Sequence, residues 1–191
     1  NDASTNGDVY CHGPGLDWDP VIQYGTNSTK PLNSLQDLLE HYPVGAGDRV
    51  FVDTGLYPVS DAARIVLDGQ NMGTDAQPLK LYGSTNGLAG GTLFQGNNTA
   101  NGMDIQNTRN IELHHFRFTG ALHGLAMLNV SRIQSTYIES FNNRSNGIWV
   151  LNGADVETRN SRLWKNGRHG YASSANASGI QNLLNASVWG N

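Results

Sequence analysis

Five side chains could do chemistry together if the chain brought them to one place: His123, Arg144, Trp149, Arg168 and His169. An indole face stacks on an apolar ring surface such as the C–H face of a sugar, and guanidinium groups pair with carboxylates through paired hydrogen bonds. Assembled, the five would make a stacking platform edged by positive charge, suited to an acidic glycan. The competing explanation is that Trp149 packs under a loop or against a neighbouring chain, with the Arg and His residues serving only as turn residues. Metal chemistry is poorly served. His114 and His115 are adjacent on a predicted strand and so point to opposite faces. His123 and His169 lie two repeats apart, about 9–10 Å at ordinary strand spacing, too far to share one ion. Cys11 is the lone cysteine, which leaves neither an intrachain disulfide nor a cysteine zinc site. A glycine–aspartate calcium repeat is also missing, since "AGGTLFQGNN" occurs once and lacks the Asp. No catalytic residue, metal or cofactor is assigned.

A regular spacing must position these residues. Gly102, Gly124, Gly147 and Gly170 recur at intervals of 22, 23 and 23. Asn107, Asn129 and Asn152 follow five residues after the first three, and Asn176 arrives one residue late. Four residues beyond each Asn stands Ile111, Ile133, Val156 or Ile180. A period of this length marks a solenoid, whose units bury their apolar faces only by stacking. The copies lack helix-forming stretches, and they lack the regular leucines of a leucine-rich repeat. Instead they alternate: Ile148 and Val150 face one way, Trp149 and Leu151 the other. The prediction is an all-β chain, a right-handed parallel β-helix with three short strands per coil and about 22–24 residues per coil. The glycines are expected at a corner that needs φ > 0, and the asparagines in a column that hydrogen-bonds from coil to coil. Arg117, Glu139 and Arg162 fall at the same position of successive coils and read as an exposed ladder of alternating charge.

The two ends differ from the middle. "STKPLNSLQDLLEHYP" places Leu35, Leu38, Leu39 and Tyr42 at helical spacing, with Asn33 or Ser34 as cap and Pro43 as stop. One amphipathic helix at the head of a β-solenoid would cover the open core. The expected organisation is a leading segment at 1–30, the capping helix and its turn at 31–48, and the β-helix at 49–191, continuing past the last residue. Residues 1–29 carry no pattern that explains them. Asp48 and Asp53 flank turns and read as structural. Six Asn-x-Ser/Thr acceptors, at Asn27, Asn97, Asn129, Asn143, Asn176 and Asn185, do not by themselves establish glycosylation.

The order of a capping helix, then "GAGDRVFVDTGLY", then "GTDAQPLKLYGS", then Asn-rich coils resembles the N-terminal part of secreted right-handed β-helix proteins of the pectate-lyase-like superfamily. That group includes chondroitinase B-like and alginate lyase-like enzymes. The segment is also similar to repeated parts of large bacterial surface β-helix proteins. The resemblance implies work on the first-strand face, with Lys or Arg as base and often Ca²⁺ held by acidic residues. The outward positions expected there are Ala126, Leu128, Trp149, Leu151, Ala172 and Ser174, with Asp104 alone in the earliest coil, so no catalytic role carries over. With 15% charged residues and a net charge of -4, the chain lacks the basic surface of a nucleic-acid partner. No apolar run is long enough to span a membrane. The leading expectation is a non-catalytic extracellular or cell-surface solenoid that contacts polysaccharide or other copies of itself. The alternative is the N-terminal part of a polysaccharide lyase or epimerase acting on acidic glycans, with its catalytic coils outside this chain.

Overall fold

The computed structural model describes residues 1–174 and 181–191. The chain winds as a right-handed parallel β-helix with strand triplets in each coil and one helix at its N-terminal end. The third strands stack into a six-stranded sheet of Gly55–Pro58, Thr92–Gln95, Phe116–Thr119, Glu139–Phe141, Arg162–Trp164 and Ser187–Trp189. The first and second strands of two coils merge, Leu125–Thr136 and Ile148–Arg159 each running through a bend as one twelve-residue strand. Leu125 pairs with Met103 on one side and Ile148 on the other, and Ile148 pairs in turn with Tyr171. Gly102, Gly124, Gly147 and Gly170, each one residue earlier, therefore stand in one column.

The reason for glycine in that column is not the expected one. None of the four has positive φ. They are small because backbone meets backbone: a Cβ on Gly102 would sit 2.5 Å from the Gly124 carbonyl oxygen, and one on Gly147 would sit 2.6 Å from that of Gly170. The same carbonyls accept the N–H groups of Met103 and Ile148, at 3.1 and 2.8 Å. Left-handed backbone belongs instead to the corners that follow. Asn107, Asn129 and Asn152 have φ of 52°, 52° and 54°, a region that Asn enters more readily than other side chains. Asn129 donates its amide to Asn107 Oδ1 and Asn152 donates to Asn129 Oδ1, each at 3.0 Å. Asn176 and Ile180 lie outside the described residues; Val156 pairs with Gln181, one position later than the spacing suggested.

The interior is a stack of like positions. Leu79, Ile111, Ile133 and Val156 are consecutive partners, and all four are fully buried. Phe94, Phe116 and Phe118 fill the side under the third sheet. Burial of each such side chain contributes about 1.5–3 kcal/mol. A second asparagine column runs inside the wall, unseen in the sequence. Asn143 and Asn166 are 2% and 3% exposed, Asn143 donates to Asn166 Oδ1, and Asn166 donates to Asn191 Oδ1, both at 2.9 Å. A glycan on Asn143 is incompatible with that burial. The charge ladder lies on the third-strand sheet, with Arg117 and Arg162 both paired to Glu139, at 2.8 and 3.6 Å.

At the head, Ser34 rather than Asn33 caps the helix Leu35–His41, its hydroxyl accepting the N–H of Asp37. Leu35, Leu38, Leu39 and Tyr42 pack onto the core. The leading segment is tied down at several points: the Asn1 ammonium donates to the Leu32 carbonyl, Thr54 and Asn86 donate to the Gly7 carbonyl, and a buried carboxylate holds residues 9–11. Asp53 is fully buried and accepts the backbone N–H groups of Val9, Tyr10 and Cys11, each at 2.6 Å. Burial raises its pKa, but those donors together with Thr54 N–H outweigh it, and the carboxyl sits below its ordinary value. Among the described residues, no helix is long and apolar enough to cross a membrane.

Candidate functional site

Two columns flank the stacked glycines. Two residues after each glycine, Asp104, Ala126, Trp149 and Ala172 pair in succession on the first-strand sheet and face outward. One residue before each glycine, Asn101, His123, Asn146 and His169 line the corner. Side chains in the corner column reach to the next coil. His123 N–H donates to Asn101 Oδ1 and Asn146 N–H donates to His123 Nδ1, each at 3.3 Å. Asn146 Oδ1 is buried and has no hydrogen-bond partner among the described residues.

The two columns meet at an aromatic pair. The His123 and Trp149 rings stack with centroids 4.8 Å apart and planes 18° from parallel. Alanine makes this possible. Ala126 is the outward residue of the His123 coil and the register partner of Trp149, its side chain stops at Cβ, and it is only 4% exposed. Trp149 itself is half-buried.

Electrostatics sharpen the picture. Burial, with Arg168 nearby, depresses the proton affinity of His123, and Asp104 only partly opposes this. The ring is therefore held neutral near pH 7, and acceptance at Nδ1 puts its proton on Nε2. In that tautomer His123 presents a donor, not a base. Asp104 is not alone, as the spacing had implied. Arg64 pairs with it at 2.5 Å, and Asn101 donates to its other oxygen at 2.6 Å. Arg64 comes from the chain after the tight turn at Ser60–Ala63, and its guanidinium remains about half exposed. Tyr171, on the outermost described strand of the set, donates to Gln181 Oε1, and burial pushes its pKa up to about 12. It is a poor base at neutral pH.

Of the five residues expected to act together, the fold places His123 and Trp149 in contact and Arg168 within electrostatic range of them. Arg144 and His169 stand exposed in the turns that enter the same coils, with no side-chain hydrogen bond or ion pair among the described residues. Arg64 escaped sequence reading because it lies 40 residues before Asp104 and outside the regular coils. A second aromatic column also escaped it. On the third-strand sheet Phe141, Trp164 and Trp189 are register partners, with ring centroids 4.5 and 5.2 Å apart and planes 7° and 4° from parallel. Their intervals of 23 and 25 residues were the available signal. Among the described residues, no group of three or more His, Cys, Asp or Glu is placed to hold a metal ion.

Comparison with known proteins finds no matching family model and no matching curated protein. Among solved structures, the chain is similar to an alginate lyase from Paenibacillus sp. str. FPU-7, with a TM-score of 0.61 and 16% sequence identity. The match covers 80% of this chain and 53% of that one, so the chain spans about half the length of the lyase. The likeness is one of fold. It shows a shared parallel β-helix architecture. The likeness does not point specifically to the large bacterial repeat proteins.

Proposed function

We propose that this chain is a polysaccharide-engaging part of a lyase-like β-helix, acting outside the cell or at its surface and holding an acidic glycan along the first-strand face. The observation that carries this reading is the His123–Trp149 stack between Arg168 and the Arg64–Asp104 pair. It combines a ring face for sugar C–H groups, a neutral Nε2–H donor and guanidinium groups for uronate carboxylates. Two guanidinium groups flank this face, that of Arg168 and that of Arg64, the second paired with Asp104.

β-Elimination or epimerisation of a uronate needs a base at the acidic carbon. His123 and Tyr171 are unsuited to that role in their present protonation states, and the Asp104 carboxylate is held by Arg64 and Asn101. These coils then bind, and the proton transfer belongs to coils outside this chain. This joins the fold likeness to the site, and it ranks the lyase-or-epimerase reading above a purely structural solenoid. A non-catalytic surface solenoid is the second reading, favoured by the disarmed state of those groups.

The test is titration of alginate, pectate and chondroitin oligosaccharides into the chain, followed by ultraviolet detection of unsaturated uronate products. Saturable binding that Trp149→Ala removes, without product, is the expected result. No binding of any of the three overturns the reading, and product formation by this chain overturns the assignment of chemistry elsewhere.

A further inference from the structure

Trp149 has two faces, and the fold treats them differently. One coil earlier stands Ala126, 4% exposed, and the His123 ring of that coil lies on the indole. One coil later stands Ala172, the register partner of Trp149 on the other side. The residue equivalent to His123 in that coil is His169, which is exposed and makes no ring contact among the described residues. Ala172 is itself partly exposed, whereas Ala126 is covered. The second face of the indole thus looks onto a position where the side chain stops at Cβ.

The dimensions suit one ring. Coils stack at about 4.8 Å, the spacing at which rings lie face to face. The protein uses that step elsewhere on its surface: Phe141 and Trp164 occupy successive coils with centroids 4.5 Å apart. Alanine in place of the outer ring of such a pair leaves the inner ring's face uncovered, and because Tyr171–Ser173 is the outermost described strand of its sheet, that space is walled on one side only, by the indole. Arg168 and His169 enter the same coil as Ala172 and supply a guanidinium and an imidazole at its rim.

We infer that Ala172 is the specificity-determining residue of the glycan face: its small side chain opens a slot on the free face of Trp149 that admits a single pyranose ring, with Arg168 placed to meet a carboxylate on that ring. The inference rests on the proposed glycan reading and adds the face, the coil and the residue that set the fit. The slot accepts a ring by its C–H face against the indole. Ala172→Leu would fill it while leaving the His123–Trp149 stack untouched.

The experiment is titration of an alginate tetrasaccharide into the wild type, Trp149→Ala, Ala172→Leu and Ala172→Ser, with the indole N–H and the His123 ring followed by NMR. Wild type and Ala172→Ser are expected to bind alike. Ala172→Leu is expected to bind about tenfold more weakly or worse, with its melting temperature and the His123 ring signals unchanged. Ala172→Leu binding as the wild type does, while Trp149→Ala fails to bind, overturns the slot and leaves the glycan face standing. Trp149→Ala binding normally, or no binding by the wild type, overturns both. If Ala172→Leu melts early, Ala172→Val replaces it, and retention of wild-type affinity in that folded variant counts against the slot.

Discussion

Trp149 and Trp164 are both outward-facing indoles on stacked parallel strands, yet their surroundings are opposite. Trp164 lies between Phe141 and Trp189 in a continuous pile of rings, so both of its faces are spent on neighbours from the same sheet. Trp149 lies between two alanines of its own column and keeps one face free of rings among the described residues; the other is taken by an imidazole that leans in from the corner. Stacked rings with only their edges outward stabilise the coil and offer little to a ligand. An isolated ring with a free face is weaker as a brace and useful as a platform. The parallel β-helix makes the difference legible, because every outward residue can be compared with the residue one coil above and below it.

The sharpest way to break this comparison is to remove each ring in turn. Trp164→Ala deletes two stacking contacts and is expected to cost about 2–4 kcal/mol, with glycan binding intact. Trp149→Ala is expected to cost about 1 kcal/mol or less and to abolish binding. Urea unfolding alongside oligosaccharide titration checks both. Equal stability losses would mean that Trp149 is a brace like Trp164, and the platform reading would lose its main support.

Asparagine offers the same contrast in polar form. Asn166 is buried, accepts the N–H and the amide of Asn143, and donates to Asn191 and to the Ser140 carbonyl. Asn166→Ala removes the acceptor of two Asn143 donors, its backbone N–H and its side-chain amide, which keeps only Ser140 Oγ, and is expected to cost about 2–3 kcal/mol in urea unfolding. A loss under about 0.5 kcal/mol would show that water replaces the amide there, and that burial of the inner column adds nothing to its strength.

Titration separates the two faces a third way. The Phe141–Trp164–Trp189 pile holds no titratable ring, whereas the platform holds His123. Its folded pKa is depressed, so the neutral ring contributes its full stability above about pH 6.5. That contribution is lost as pH falls from there through the folded value, because the unfolded chain takes up a proton that the folded one resists. Protonation at Nδ1 also removes the acceptor for Asn146 N–H. Unfolding free energy is expected to decline over that window in the wild type and to decline less in His123→Asn. Identical pH profiles would place His123 in solvent and undo the stack.

What the sequence made legible was periodic. The glycine column, the outward position of Trp149 and the pairing of Arg117, Glu139 and Arg162 all follow from counting residues per coil, and the register matches that count. What it hid depended on neighbours that counting does not supply. Close backbone approach and positive φ both select glycine, so the corner glycines were given the wrong cause. Arg64 reaches Asp104 from an irregular turn with no periodic landmark. Residues 1–29 have no repeat at all, and they stay against the first coil through scattered contacts that no spacing announces: the buried Asp53 carboxylate, the Gly7 carbonyl that accepts from Thr54 and Asn86, and the Tyr10–Phe51 ring contact.

The smallest expected effect tests the outer asparagines, where the corner backbone and the side-chain bond can be separated. Asn129 is exposed, has φ of 52°, and exchanges hydrogen bonds with Asn107 and Asn152. Asn129→Gly keeps the left-handed corner at no steric cost and deletes both bonds, and glycine adds freedom to the unfolded chain. Because the bonds face water, the net loss is expected to be about 0.5–1 kcal/mol. Asn129→Ala deletes the same bonds and adds the strain of a Cβ in the left-handed region, about 1 kcal/mol more. If the alanine variant is no less stable than the glycine variant, the corner does not select asparagine for its backbone. The outer column would then be held by the side-chain ladder, as the buried column of Asn143 and Asn166 is.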